Sequence, residues 1–278
     1  MWDALRNKSS QPPLNPEKPS SPFCATVGFS LESANVVGYN TVTIEKKNTI
    51  LSVQFQNVSG NELSIQEAFP AQAGMTQGAA VTAADQIQVQ NNAGGYDTYF
   101  LSNGLNARGQ KLQNVDAGDW VHASASTVKA TAKLASGQAF WYIAKDVTTP
   151  YSVNIAGQVA NDASFDVEVV KKNQHIASPY PVDYPINNIV AVSGLTQGAA
   201  VTAADQIQVQ NDAGGYDTYF LSNGLNARGQ KLQNVDAGDW VNATASTVKA
   251  TGSIPVGKGA WFIRKGDETA VIRFVRPW

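Results

Sequence analysis

Apolar and polar residues alternate with a period of two along most of this chain. Ile87 and Val89 are interleaved with Gln86, Gln88 and Gln90, and the run Tyr96-Asp-Thr-Tyr-Phe-Leu101 continues in strand-forming residues. Between them Asn91-Asn-Ala-Gly-Gly95 supplies residues that tolerate positive φ, so the pair predicts a hairpin with a five-residue loop. Leu51, Val53 and Phe55 alternate, as do Val128, Ala130, Ala132 and Leu134, and Phe140–Ile143 and Tyr151–Ile155 predict two further short strands. Helical signal is thin. Ser64-Ile-Gln-Glu67 has the form of a capping box, and Pro70 stops the helix after about a turn and a half. Short strands separated by Gly/Asn turns predict an all-β fold, a sandwich or a barrel-like closure.

The pattern occurs twice. Gly74–Thr131 returns as Gly194–Thr251 at an offset of 120, and only four of the 58 positions differ: Met75/Leu195, Asn92/Asp212, His122/Asn242 and Ser124/Thr244. The likeness extends in weaker form to Gly137–Ile143 against Gly257–Ile263, and at an offset of 125 to Val42–Asn48 against Val167–Asn173. Each copy is therefore domain-sized, and the expected organisation is a first β domain over 32–159 and a second over 163–278. The connection is short enough to leave the two little freedom. In the second copy the capped helix is replaced by Pro179-Tyr-Pro-Val-Asp-Tyr-Pro185, which cannot be helical.

Residues 1–31 stand outside this scheme, polar and proline-rich over 1–22 and then briefly small and apolar at Phe23–Ser30. One reading takes that apolar stretch as the tail of a secretory leader, with a mature start near Leu31 to Ala34; the other takes the segment as a proline-spaced tail. No stretch approaches 18 consecutive apolar residues, so no transmembrane helix is expected.

Ser33-Ala-Asn-Val-Val-Gly-Tyr-Asn-Thr-Val-Thr-Ile44, the Ala84-Asp-Gln-Ile-Gln-Val-Gln-Asn91 hairpin with its Gly-Gly-Tyr-Asp-Thr-Tyr-Phe continuation, and the Phe140-Trp-Tyr-Ile and Ala260-Trp-Phe-Ile strands carry a resemblance. They resemble secreted, tandem all-β proteins of the Verrucomicrobia and Lentisphaerae lineages. Lys171–Pro181, followed by Gly257-Lys-Gly-Ala-Trp261, is also similar to a wider extracellular β module. The resemblance spans about 32–278 and implies export, a secreted or cell-surface location and an all-β fold. It implies no catalytic residues.

Composition removes several function classes. Charged residues make up 15% of the chain and the formal net charge is −2, which leaves no basic footprint for a phosphate backbone and so no expectation of nucleic-acid binding. One cysteine, Cys24, and two histidines, His122 and His175, exclude a disulfide scaffold and a Cys/His zinc site. His122 becomes Asn242 in the second copy and His175 aligns with Ile50, so nucleophile–base chemistry has no repeated base. No phosphate-binding glycine loop precedes a helix, and no cofactor is expected. A carboxylate pair would suffice for glycoside hydrolysis, and each copy offers Asp85, Asp97, Asp116 and Asp119, repeated as Asp205, Asp217, Asp236 and Asp239. Their turn-rich surroundings favour backbone-bonding and surface roles instead.

Aromatic residues are the remaining candidates. Tyr96, Tyr99, Phe100, Trp120 and Trp141, with Tyr216, Tyr219, Phe220, Trp240 and Trp261, could form a platform that stacks on sugars. Alternation puts Tyr96, Thr98 and Phe100 on one face, so with that face as core Tyr99 and Tyr219 become the exposed rings, accompanied by Trp120, Trp240, Asp97 and Asp217. Two functions follow. The first is a non-enzymatic structural or adhesive protein that assembles with itself, with Gln86, Gln88 and Gln90 as a polar pairing surface. The second is a tandem pair of carbohydrate-binding modules that recognises surface glycans by avidity.

Overall fold

In the computed structural model, which describes residues 37–278, twenty-two strands and one short helix follow one another in two matching series. The first series is β1 (Val37–Ile44), β2 (Asn48–Ser52), β3 (Phe55–Gln56), β4 (Leu63–Ser64), α1 (Ile65–Ala68), β5 (Gln86–Gln90), β6 (Tyr96–Asn103), β7 (Ala117–His122), β8 (Ala125–Lys129), β9 (Lys133–Leu134), β10 (Ala139–Ile143) and β11 (Tyr151–Val159). The second is β12 (Ser164–Val169), β13 (Asn173–Ile176), β14 (Tyr184–Pro185), β15 (Ile189–Ser193), β16 (Gln206–Gln210), β17 (Tyr216–Asn223), β18 (Ala237–Asn242), β19 (Ala245–Lys249), β20 (Ser253–Ile254), β21 (Ala260–Ile263) and β22 (Ala270–Val275). The fold is all-β, and none of its antiparallel sheets closes into a barrel. The expected residues 1–31 and Cys24 lie outside the described part.

Each series builds one six-stranded and one three-stranded sheet, ordered β2-β10-β5-β6-β7-β8 with β1-β11-β3, and β13-β21-β16-β17-β18-β19 with β12-β22-β15. The predicted β5–β6 hairpin forms in the expected register, Gln90 opposite Tyr96 and Gln86 opposite Phe100. Its loop belongs to a recurrent type. In Asn57–Asn61, Asn91–Gly95 and Asn106–Gln110 the first asparagine accepts two backbone N–H groups on its own Oδ1, and the fourth residue is a glycine with φ of 74°, 84° and 76°. The asparagine side chain mimics a backbone turn and the glycine takes the left-handed residue at no steric cost. Helix α1 carries the predicted capping box, with Glu67 N donating to Ser64 Oγ and Ser64 N donating to Glu67 Oε2.

The first core lies between the two sheets. Val42, Ile44, Val153 and Ile155 from the three-stranded sheet meet Leu51, Ile87, Leu101, Trp120, Phe140 and Tyr142 from the six-stranded one. Val169, Ile272 and Phe274 meet Ile207, Leu221, Trp240 and Phe262 in the second half. Burying each such side chain is worth about 1.5–3 kcal/mol, and together they fix the two-layer arrangement. Alternation fails, however, at Ile50–Phe55, where all six residues are buried. Leu51, Val53 and Phe55 enter the first core, whereas Ile50 joins a separate cluster with Ala139 and Ala177.

That cluster marks a clasp between the halves. Leu51 bridges Lys258, Ser52 N donates to Gly257 O (3.0 Å) and Gly259 N donates to Ile50 O (3.1 Å). Reciprocally, Ile176 bridges Gln138 and Ala177 N donates to Gly137 O (2.9 Å). Gln90 Nε2 donates to Asn173 O (2.7 Å), and its counterpart Gln210 Nε2 donates to Asn48 O (3.0 Å). These contacts exchange equivalent residues, as in an isologous interface. The glutamine row is therefore not a pairing edge: β5 and β16 are interior strands, and Gln90 and Gln210 hold the halves together.

Equivalent positions 139 and 259 meet at the centre of the clasp, where only one Cβ fits. A Cβ added at Gly259 would lie 2.1 Å from the Ala139 Cβ and 2.9 Å from Ile50 Cγ2. Gly259→Ala is accordingly expected to cost about 1–3 kcal/mol by overpacking. Ala139→Gly in the same chain should return part of that loss. A double-mutant cycle in urea checks this, and additive single effects would contradict the shared space at the centre.

Candidate functional site

The near-identical segments 74–131 and 194–251 form β5 to β8 and β16 to β19, the side of each six-stranded sheet opposite β2 or β13. In the first half Asp85 anchors this region. Fully buried, it accepts Thr76 N (3.1 Å), Tyr142 OH (2.8 Å) and Tyr151 OH (2.8 Å) on Oδ2, and Lys145 N (2.7 Å) on Oδ1. Burial and the adjacent carboxylate push both phenols far above the ordinary tyrosine range, so they stay donors. Asp205 keeps the bonds from Thr196 N (2.9 Å) and Lys265 N (2.6 Å), while Phe262 stands where Tyr142 does. Every oxygen of Asp85 is thus engaged in tying loops, which is a structural assignment for that carboxylate.

A long loop, 104–116, projects between β6 and β7. Leu112 and Val115 fold back onto Phe100 and Val121, forming a small second core on the sheet face opposite the main one. Around those anchors Ala107–Lys111, Gln113 and Asn114 are exposed, and a cavity of about 400 Å³ at the loop's foot is lined by Asn103, Gly104, Leu105, Lys111, Asp116 and Ala117. The loop of the second half, 224–236, has the same sequence and the same pattern of exposure. Asp116 N donates to Asp119 Oδ2 (2.7 Å), and Lys129 Nζ pairs with Asp119 (2.9 Å), an arrangement repeated by Asp236, Asp239 and Lys249. These aspartates close a turn, as their setting in the sequence suggests.

Of the aromatic residues singled out from the sequence, Tyr99, Tyr219, Trp120 and Trp240 are buried. Trp120 and Trp240 have no exposed surface, and their Nε1–H groups donate to Phe69 O and Ile189 O. Tyr99 and Tyr219 face the main core and are 8% and 5% exposed, whereas Tyr96 and Tyr216 are 36% and 38% exposed. The choice of face was reversed because Phe100 is buried too, under loop 104–116, so both faces of β6 carry apolar residues. Asp97 and Asp217 sit at the hairpin ends and accept Asn91 Nδ2 (2.9 Å) and Asn211 Nδ2 (3.0 Å). His122 bonds Ser124 Oγ (2.8 Å) through Nδ1, and Asn242 Oδ1 accepts from Thr244 (2.8 Å) at the matching turn. Two of the four differences between the copies are therefore one exchanged local pair.

A different aromatic cluster lies across the clasp. Trp141 and Trp261 meet edge to face at 6.1 Å, and His175 packs at 3.9 Å from Trp261, 5.4 Å from Trp141 and 6.1 Å from Tyr96. Both tryptophans are half-buried; each stands in cross-strand register with a glutamine, Gln88 or Gln208. Beside Trp261 a hollow of about 160 Å³ is lined by Asn173, Gln208, Tyr216, Trp261 and Ile263. Sequence reasoning included both tryptophans among the aromatic candidates but missed His175, whose position opposite an isoleucine in the other copy was the only signal.

His175 is 1% exposed and, among the described residues, neither ring nitrogen has a hydrogen-bond partner. Burial, with Lys171 adding repulsion, pulls its pKa down to about 4. A histidine depressed from an ordinary value near 6.5 stabilises the fold above that pH, and the contribution is lost as pH falls towards 4. The expected loss is about 3 kcal/mol between those limits. Chemical denaturation at several pH values should show a steeper acid slope for the native chain than for His175→Ile, which carries the residue found at the equivalent position 50. Equal slopes would contradict a neutral, unpartnered imidazole.

No protein-family model matches the chain, and no curated protein or solved structure matches it.

Proposed function

We propose that this is a non-enzymatic extracellular or cell-surface adhesive protein that presents one binding surface twice. The observation that carries the reading is the uneven divergence of the two copies. Four of 58 positions differ over 74–131 and 194–251, yet only three of seven residues agree between 137–143 and 257–263, and four of seven between 42–48 and 167–173. A duplication that diverged evenly would not spare the middle. Core packing accounts for shared Phe100/Phe220 and Val115/Val235, but not for the exposed Arg108, Gln110, Lys111, Gln113 and Asn114, each repeated unchanged. Identical exposed loops on two clasped halves suit a repetitive partner, where the second contact is intramolecular and overall affinity rises by roughly 10²–10⁴. The likeness of the opening strand to secreted tandem β proteins supports an extracellular setting.

A second reading, self-assembly by strand addition, is favoured by β1. It pairs with β11 over eight consecutive residues without a bulge, and among the described residues its other edge has no partner. Val37 and Tyr39 on it are 72% and 78% exposed. The outer edges β8 and β19 differ: each is interrupted by a bulge and carries a lysine, both of which discourage pairing.

Arg108→Ala or Arg228→Ala alone should weaken co-sedimentation with cell-envelope material of the native source at least about tenfold by removing avidity, and the double variant should abolish it. Stability should stay within about 0.5 kcal/mol, since both side chains are exposed. Wild-type binding by the double variant would refute the loop surface. For strand addition, light scattering should show mass rising with concentration for the native chain and not for Tyr39→Lys; a constant monomer mass would remove that reading.

A further inference from the structure

The hollow beside Trp261 has the chemistry of a carbohydrate subsite, and we infer that it binds one ring of a neutral polysaccharide. Trp261 and Tyr216 supply aromatic surface, and Ile263 closes the hollow with an aliphatic wall. A pyranose ring offers patches of C–H groups to such faces and hydroxyls around its rim. Two amides meet that rim. The Asn173 side chain makes no hydrogen bond within the described residues, and Gln208 spends only one N–H, on a long bond of 3.4 Å to Gln206 Oε1. Their remaining donors and acceptors point to a ligand rich in hydroxyls.

Size and charge narrow the class. About 160 Å³ is well below the roughly 300–1,000 Å³ of a drug- or cofactor-sized pocket, so the hollow accommodates one ring of a chain that continues over the surface. No charged side chain lines it, which selects a neutral sugar over a uronate or a sulfated residue. Chain continuation has a path: Trp261 contacts Trp141 across the clasp, and Tyr96 lies beyond His175. The two halves thus contribute to one aromatic row. His175 packs 3.9 Å from Trp261, and both it and its counterpart Ile50, in register with Trp141, are 1% exposed, so each tryptophan rests on a buried residue. The hollow itself, lined by Trp261 and Tyr216, assigns the principal subsite to the Trp261 side.

The proposal is independent of the loop surface above, and its test separates the two. The full chain is titrated with hexaoses of β-1,4-linked glucose, N-acetylglucosamine and xylose and of α-1,4-linked glucose, following tryptophan emission, and is run through gels containing the matching polysaccharides. At least one neutral hexaose should shift the emission. Tyr216→Ala should weaken that binding by about fivefold or more, the loss of one stacked ring, and Tyr216→Phe should retain it. Arg108→Ala/Arg228→Ala should leave it unchanged. Tyr216 is partly exposed, so its replacement leaves the cores intact. No response to any neutral chain, binding only to polyanionic polysaccharides, or full binding by Tyr216→Ala would each overturn the proposal.

Discussion

The joining of two sheet edges at a centre with room for a single methyl group governs this molecule. An edge strand left open is a template for unwanted pairing, and here β2 and β13 end on each other's sheets. Equivalent residues meet there, Trp141 against Trp261 edge to face and Ala139 against Gly259, and at the second place two alanines would collide. Ala139 with Gly259 is the resolved form of that conflict. The diverged segments supply the centre of the clasp, and from the repeated segments Gln90 and Gln210 reach across to it.

Much of the strand content was legible because turn chemistry and alternation agreed. The Asn91–Gly95 hairpin and the Ser64–Glu67 capping box each rest on local hydrogen bonds that a few residues encode. The same logic extends to Asn57–Asn61 and Asn106–Gln110, where an asparagine three residues before a glycine marks the loop. Which face of a strand is core was not legible where both faces are covered. Ile50–Phe55 and the Tyr99/Phe100 pair illustrate this, since period-two alternation distinguishes faces only if one of them meets water. The exposed rings therefore came out as Tyr96 and Tyr216, the reverse of the simplest reading.

Long-range polar chemistry was equally hidden. Nothing near Asp85 in sequence indicates that Tyr142 and Tyr151 converge on it, and the second half reaches a similar loop geometry with Phe262 and a buried Arg264 that donates to Val169 O and Gly194 O. Equivalent places in the two matching series of strands can thus be satisfied by different donors, provided the backbone groups that must be bonded are bonded. His175 shows the complementary case, a polar ring kept among aromatic ones with both nitrogens unpartnered among the described residues.

Near-identity of the distal segments has a consequence for biosynthesis. During translation the first half emerges complete while its clasp edge is still without a partner, and the strands that follow, β16 to β19, match β5 to β8 almost residue for residue. Local interactions alone offer a nascent chain little to prevent strands of one half from inserting into the sheet of the other. The discriminating information resides in the divergent segments on either side, which decide the half to which each hairpin belongs. Divergence at the clasp, Ala139 against Gly259 above all, thus sets the two halves apart where their repeated segments do not.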